Sequence, residues 1–275
     1  MRVFISCDME GVAGIVDWKQ VIPGSEFELG RRLLLAEVNA AIDGAVEAGA
    51  TYVLVNDSHG AMQNLPPDQL HGEAEYLAGQ HKPLYMMEGL DATFDAVFFI
   101  GYHGAVDGPA SVLSHTYNPA AVQGASINGV LAGESGINAL VSSHHGVPVA
   151  LVSGDQHTAT QAEPFCPGAE MVVVKRSVTR FSAQSLTPEA ARKRIKDGAH
   201  YALQRLSGIT AASFAEGCSL HLRLRNSDLA ELATGVRDVR RESDLEVLVE
   251  GGNPLTVYRN FAAVLQITRG LAQEH

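Results

Sequence analysis

The segment that decides the fold reads VFISCDMEG at residues 3–11, where a short apolar run leads into two acids and a glycine. Apolar runs rich in β-branched and aromatic residues recur at residues 52–55, 96–100, 147–152 and 171–174. Continuous runs of this length are typical of strands that are buried on both faces of a sheet. We therefore expect these runs to form one central sheet.

Helical patterns lie between the apolar runs. The clearest helix is expected to begin at Ser25, with Glu28 as its capping-box partner, and to end at Gly49. Its predicted apolar stripe is Leu34, Val38, Ile42, Ala45 and Val46. Further helix starts are predicted at Glu134, Thr187-Pro188 and Asn253-Pro254. Alternation of strand and helix predicts an α/β fold, with a mostly parallel sheet and helices on both faces.

Composition and charge exclude several classes of function. The 275 residues carry a formal net charge of −11, which argues against a large basic surface for nucleic acid or anionic lipid. No apolar run approaches the ~20 residues that span a bilayer, and Asp8 comes too early for a secretory signal. The three cysteines are widely spaced and lack a C-x-x-C pair. We therefore expect a soluble, cytoplasmic protein that contacts neither nucleic acid nor membrane.

Side chains that can bind metal follow three consecutive predicted strands. Asp8 and Glu10 follow the first strand, and residues two apart in extended chain point to one side. His59 follows the second strand and His103 the third. Because the carboxyl ends of parallel strands share one edge of a sheet, these side chains are expected to meet there. Carboxylate and imidazole ligands suit zinc, manganese or iron, and Glu134 adds a candidate fifth ligand from a helix start.

Each of these residues alone also has an ordinary structural explanation. An Asp-x-Glu pair after a strand is commonly a cap or turn, and the helix dipole alone accounts for Glu134. The metal hypothesis therefore depends on the coincidence of compatible ligands at three strand ends. Competing motifs are absent from the sequence, because it contains no phosphate-binding P-loop, dinucleotide-binding glycine motif, nucleophile elbow or H-E-x-x-H.

The ordered motifs around these residues resemble those of the D-aminopeptidase DppA family, metallopeptidase family M55. The motifs are DMEG at 8–11, NDSH at 56–59, GYH at 101–103, SH at 114–115, and GE at 133–134 through Asn138. The resemblance covers at least the first 175 residues, whereas from about residue 178 the agreement is in length and general pattern. It implies a metallo-aminopeptidase, a hydrolase that acts on peptide bonds.

The resemblance implies two zinc ions per subunit, with manganese or another divalent ion as the alternative. Asp8 would bridge both ions. Glu10 and His103 would belong mainly to one ion, and His59 and Glu134 to the other. Charge supports the count independently, because two divalent ions exceed the charge of three carboxylates by one unit, which one hydroxide neutralises.

The resemblance further implies that His115 is the catalytic residue. We expect metal-activated water to hydrolyse short peptides while His115 transfers the proton. The expected substrates are peptides with an N-terminal D-amino acid, and L-peptides and amides are the alternative substrates. The sequence does not identify the residues that bind the substrate. Candidates for holding its ammonium group are Asp57, Asp155 or a free position on a metal. Related proteins suggest a homodecamer of two stacked pentamers.

Two other functions and a domain boundary complete the expectations. A dinuclear phosphoesterase would use the same ligands, but residues 8–14 and 58–64 contain no lysine or arginine to hold phosphate. A non-catalytic metal- or peptide-binding protein is the third alternative.

We predict a metal-binding catalytic α/β domain at residues 1–177 and a smaller C-terminal α+β portion at residues 178–275, although both also fit one domain. Leu220, Leu222 and Leu224 alternate with polar residues there, which predicts a strand with one exposed face.

Overall fold

A computed structural model describes residues 1–214 and 217–273, and the strands in these ranges form two sheets. The strands are β1 (Arg2–Cys7), β2 (Tyr52–Asp57), β3 (Glu75–Leu77), β4 (Ala96–Tyr102), β5 (Val122–Ile127), β6 (Val130–Leu131), β7 (Val149–Asp155), β8 (Glu170–Thr179), β9 (Ser182–Ser185), β10 (Leu220–Leu224), β11 (Val239–Arg241) and β12 (Glu246–Val249). The α-helices are α1 (Phe27–Glu47), α2 (Glu134–His145), α3 (Gln156–Ala162), α4 (Pro188–Gln204), α5 (Ser227–Ala233) and α6 (Pro254–Gln273).

The larger sheet has the strand order β3-β2-β1-β4-β7-β8-β9. Its neighbours pair in parallel, except that β9 pairs antiparallel with β8. All the apolar runs predicted as strands lie in this sheet, and its central strands are buried from end to end. The predicted fold class is confirmed. The sequence signal was clear because a strand covered on both faces needs apolar side chains at nearly every position.

Helices cover both faces of the larger sheet. On one face α1 and α4 pack together over β1, β4 and β7, and on the other α2 and α3 pack against β4 and β7. The predicted capping box of α1 is wrong, because Glu26 occupies the N-cap position and Glu28 instead pairs with Arg31 at 2.8 Å. Val46 is 53% exposed and does not belong to the buried stripe. Helices α4 and α6 begin as predicted, with Thr187 and Asn253 accepting hydrogen bonds from backbone amides.

The smaller sheet is antiparallel, with the order β11-β12-β10-β5-β6. In β10 the leucines are buried and the residues between them exposed, as the alternation predicts. This sheet joins β5 and β6 to strands from the last quarter of the chain, while α6 packs on α2. The division at residues 177 and 178 stays a prediction. None of the helices in the described ranges is both long and apolar enough to cross a bilayer.

The chain reverses its direction across the larger sheet between β1 and β4. It proceeds outward from β1 to β2 and β3 and then returns to β4 on the other side of β1. Ligands of α/β proteins gather at such a switch point, beyond the carboxyl ends of the strands. Here a side chain on Gly11 would place its Cβ 1.8 Å from the carbonyl oxygen of Tyr102. Only glycine lets the segment after β1 approach the end of β4 so closely.

Candidate metal centre

Six buried or nearly buried side chains converge at the carboxyl ends of β1, β2 and β4. They are the predicted ligands and catalytic residue: Asp8, Glu10, His59, His103, Glu134 and His115. In the first half of the cluster, Nδ1 of His59 lies 3.0 Å from Asp8 Oδ1 and 3.1 Å from Glu10 Oε2. These residues come from the segments that follow β1 and β2.

The second half of the cluster surrounds the other oxygen of Asp8. Nε2 of His103 lies 3.4 Å from Asp8 Oδ2 and 3.4 Å from Glu134 Oε1. Nε2 of His115 lies 3.7 Å from the same Glu134 oxygen, and its ring stacks on that of His103 with centroids 4.3 Å apart. Asp8 therefore faces both halves, one oxygen toward each.

Each of the three imidazoles has one ring nitrogen fixed by a backbone carbonyl. The pairs are His59 Nε2 with Val21 O (2.7 Å), His103 Nδ1 with Gly104 O (3.0 Å) and His115 Nδ1 with Leu113 O (2.9 Å). A carbonyl oxygen only accepts, so these nitrogens carry the hydrogen. In a neutral ring the other nitrogen then presents its lone pair to the carboxylates. Metal-binding histidines are commonly oriented through their second nitrogen in this way.

The atoms that face the centre of the cluster lack other partners. Asp8 Oδ2, both carboxylate oxygens of Glu10 and His103 Nε2 are buried and accept or donate no hydrogen bond within residues 1–214 and 217–273. Buried polar atoms are normally satisfied, and leaving one unsatisfied costs ~1–3 kcal/mol. A cation placed between the imidazole nitrogens and the carboxylate oxygens would accept the lone pairs of both. The oxygen and nitrogen donors fit zinc, and two groups around a shared carboxylate fit a pair of ions.

The electrostatic field of the cluster favours positive charge. Burial alone would lower the pKa of His59, but the nearby carboxylates of Glu10 and Asp8 raise it well above its usual value. The pKa of His103 is raised in the same way by Glu134 and Asp8. Burial would raise the pKa of Asp8, yet the two imidazoles hold it well below its usual range. The buried carboxylates therefore favour cations at the centre of the cluster.

The remaining acid and histidine are positioned by irregular backbone between β4 and α2. Glu134 is the first residue of α2, and the backbone N–H of Tyr117 donates to its Oε1 at 2.7 Å. Leu113, which anchors His115, has a φ of +52°, uncommon for a residue with a side chain. The backbone N–H of Leu113 donates to Arg180 O (2.9 Å), and the guanidinium of Arg180 donates to the carbonyl of Ser114 (2.7 Å). The hairpin between β8 and β9 thus holds the segment that presents His115.

Comparison with known proteins identifies the family. The sequence profile of a family described as D-aminopeptidase, peptidase family M55, matches residues 1–263. The D-aminopeptidase of Bacillus subtilis (strain 168) is 36% identical over 234 residues, which cover 85% of each chain. The chain belongs to the D-aminopeptidase family. Membership of this family makes it a peptide-bond hydrolase, as the motifs predicted, and does not favour a phosphoesterase or a non-catalytic binding protein.

The fold agrees with a solved member of the D-aminopeptidase family. A Bacillus subtilis structure described as Zn-dependent D-aminopeptidase DppA, a self-compartmentalizing protease, superposes with a TM-score of 0.93 at 31% identity. The match covers 100% of this chain and 99% of that one. The relationship therefore extends through the C-terminal third, where the sequence motifs had ended.

The two acids considered for binding the substrate's ammonium group are already engaged in the fold. Asp57 accepts hydrogen bonds from two groups of Asn64, from Leu65 N and from the hydroxyl of Tyr76. Asp155 caps α3 and accepts hydrogen bonds from the hydroxyl groups of Ser111 and Ser177 and from the first residues of the helix. Neither carboxylate lines the cavity over the metal centre.

Sequence reasoning missed two residues of the centre in this D-aminopeptidase family member. Trp18 packs edge-on against His115 with ring centroids 5.4 Å apart. The buried ammonium of Lys175 donates to the backbone carbonyls of Glu10, Val12 and Ile15, and so holds the segment that carries the first two ligands. A lysine directly after the apolar run at residues 171–174 was the one available signal for Lys175. The sequence gives no signal for Trp18, because its contact with His115 depends on the path of an irregular segment.

Proposed function

We propose that the protein is an aminopeptidase that binds two zinc ions and releases the N-terminal residue of short peptides, with D-residues preferred. Asp8 would be shared by both ions, Glu10 and His103 would belong mainly to one ion, and His59 and Glu134 to the other, which is the division that the resemblance implies. Ligand atoms of Asp8, Glu10 and His103 lie within 4.8 Å of one another, which supports the first group. Relatives described as D-aminopeptidases support the substrate class, and the one described as Zn-dependent supports the metal.

The observation that carries the proposal is the arrangement of the histidine lone pairs. Three rings are fixed by carbonyl oxygens, so that each directs a lone pair toward carboxylates. Four buried atoms of these groups lack a partner among the described residues. Zinc ions bound there would act as Lewis acids on the scissile carbonyl and would make water acidic enough to supply hydroxide near neutral pH.

His115 is proposed to move the proton. Its Nδ1–H donates to Leu113 O, so its Nε2 is the nitrogen that accepts a proton from water and returns it to the leaving amine. Stacking on His103 and the edge contact with Trp18 hold the ring in that orientation. The oxygens of Glu134 are the nearest anionic group and stabilise the imidazolium that forms.

The test combines metal analysis with a substrate panel. We expect two zinc ions per chain after dialysis, hydrolysis of D-alanine p-nitroanilide faster than of the L-isomer, and loss of activity with a chelator that added zinc reverses. His115→Ala should retain both ions and lose about 10²–10⁴-fold in kcat. Activity that survives complete removal of metal would refute the proposal, and unchanged turnover of the variant would refute the role of His115.

The proposal also covers the assembly and the location of the protein. A relative described as a self-compartmentalizing protease supports assembly into a decamer of two stacked pentamers that encloses the active sites. Sedimentation should then give ten times the chain mass of 29.2 kDa. A monomer or dimer at micromolar concentration would contradict this. We place the protein in the cytoplasm, because all three cysteines are free and buried.

A further inference from the structure

The cavity above the metal centre has two chemically different ends. Its volume is about 480 Å³, within the range of about 300–1,000 Å³ of small-molecule sites. Asp8, Glu10 and Glu134 form its floor and are almost fully buried. Arg269 of α6 lines the cavity far along the chain from these acids and is exposed to solvent.

The charge of Arg269 is distinctive within the cavity. Of the lining residues in the described chain, it alone is a lysine or arginine. It lies close to Tyr85 on the same wall: burial raises the pKa of this phenol, and the positive charge of Arg269 partly opposes the rise. The aromatic and aliphatic side chains of Trp18, Ile22 and Phe27 supply apolar wall. The floor therefore holds the three carboxylates that would bind the zinc ions, and the one basic side chain of the described lining lies where α6 borders the cavity.

A short peptide in solution carries a free carboxylate at its C-terminus. The bond to be cleaved must lie beside the metal centre, where two zinc ions would offset the charge of the acids. The carboxylate then extends away from that floor along the cavity. Guanidinium groups bind carboxylates through two parallel hydrogen bonds, a geometry that an ammonium group does not provide.

We propose that Arg269 binds the C-terminal carboxylate of the substrate and so selects short peptides with a free carboxylate over amidated ones. This inference depends on the aminopeptidase function proposed above. Arg269 is then a specificity-determining residue that acts mainly on substrate binding. Since charge-assisted hydrogen bonds at a partly exposed site are of moderate strength, we expect an effect of about 10- to 100-fold.

The experiment compares an alanyl dipeptide with its C-terminal carboxamide, in the configuration that the enzyme cleaves faster. In the zinc-loaded wild type, kcat/KM should be about 10- to 100-fold higher for the acid, mainly through KM. Arg269→Gln should abolish this preference by weakening only the acid, and Arg269→Lys should retain part of it. Arg259→Gln is the matched control, because Arg259 lies on the same helix but lines a separate groove with Lys82 and Gln266.

A binding measurement makes the result independent of turnover. The analogue of the dipeptide with a reduced peptide bond should bind the wild type more tightly than its carboxamide by calorimetry, and Arg269→Gln should remove the difference. Equal handling of acid and amide by the wild type would overturn the inference. So would an equal loss for both substrates in Arg269→Gln. If the wild type cleaves no aminoacyl substrate at all, the aminopeptidase proposal itself fails, and the analogue still reports on Arg269.

Discussion

Four buried acids at the same edge of the larger sheet have opposite relations to their surroundings. Asp57 and Asp155 are the last residues of β2 and β7 and accept hydrogen bonds from backbone amides and hydroxyl groups on several sides. Asp8 and Glu10 follow β1 and keep buried oxygens without a partner in the described chain. All four are buried acids at or just beyond the carboxyl end of a parallel strand. What separates a structural acid from a ligand is therefore whether the protein itself satisfies the carboxylate.

The largest effect is expected from Asp8→Asn. Asp8 faces both halves of the cluster, so the amide should reduce bound zinc to less than one ion per chain and lower kcat/KM by about 10⁴-fold. The metal-free fold should also lose stability near neutral pH, because His103 and His59 hold the pKa of Asp8 well below its usual range and the amide removes that charge pairing. Elemental analysis, kinetics and thermal unfolding in chelator check the three outcomes. Zinc content and activity like those of the wild type would show that Asp8 is only a structural acid like Asp155.

Asp155→Asn should show the reverse behaviour. Its carboxylate is capped by hydroxyl and amide donors, and these hydrogen bonds outweigh burial and lower its pKa. The amide leaves some donors without an acceptor, so the free energy of unfolding should fall by about 2–3 kcal/mol. Zinc content at full loading should remain that of the wild type. Denaturant unfolding measures the stability and elemental analysis the zinc content. Loss of zinc without loss of stability would show that Asp155 is not the structural acid that this comparison makes it.

Lys175→Met tests the support beneath the ligands. Removing the ammonium leaves the carbonyls of Glu10, Val12 and Ile15 without their shared donor and frees the segment that carries Asp8 and Glu10. We expect zinc affinity to fall by about 10- to 100-fold, as for other residues that orient ligands indirectly. Competition with a chromogenic chelator measures this fall. Lys175→Arg should retain more affinity, whereas a loss of stability with unchanged affinity would show that the lysine supports only the fold.

Glu37→Gln gives the smallest effect and a defined pH dependence. Burial raises the pKa of Glu37 to about 7, although Ala13 N–H and the charges of Lys175 and Arg192 oppose the rise. Between about pH 4.5 and 7 the folded state therefore binds more protons than the unfolded state, so this residue makes stability fall as pH rises. The variant should be stabilised relative to the wild type by about 1–2 kcal/mol more at pH 8 than at pH 5. Denaturant unfolding of metal-free protein checks it, and a pH-independent difference would contradict it.

The sequence contained most of the larger sheet and the residues of the cluster, but not their pairing. Apolar runs located β1, β2, β4, β7 and β8 because burial on both faces constrains every position. The partnership of β5 with β10 was not predictable, since it joins residues far apart in the chain through a surface that is apolar on one side only. Local signals also failed at the start of α1, where tertiary packing overrode a plausible cap.

The geometry within the site depended on irregular segments that carry no periodic pattern. The orientation of His59 is fixed by the carbonyl of Val21, and that of His115 by Leu113 in a backbone conformation unusual for leucine. Such contacts leave no trace in residue type, because every residue has a carbonyl group. For the same reason Asp57 and Asp155 stayed candidates for binding the substrate's ammonium group until their hydrogen-bond donors were known.

The histidines are oriented by backbone carbonyls, so their orientation does not depend on the side chains of the residues that anchor them. Val21 holds His59 through an atom common to all amino acids, and the residue is among those that line the cavity. Evolution or an engineer can therefore exchange its side chain for one of similar volume, and the imidazole keeps its tautomer. Variation at position 21 can thus diversify substrate choice among otherwise similar hydrolases, provided that the course of the peptide backbone is preserved.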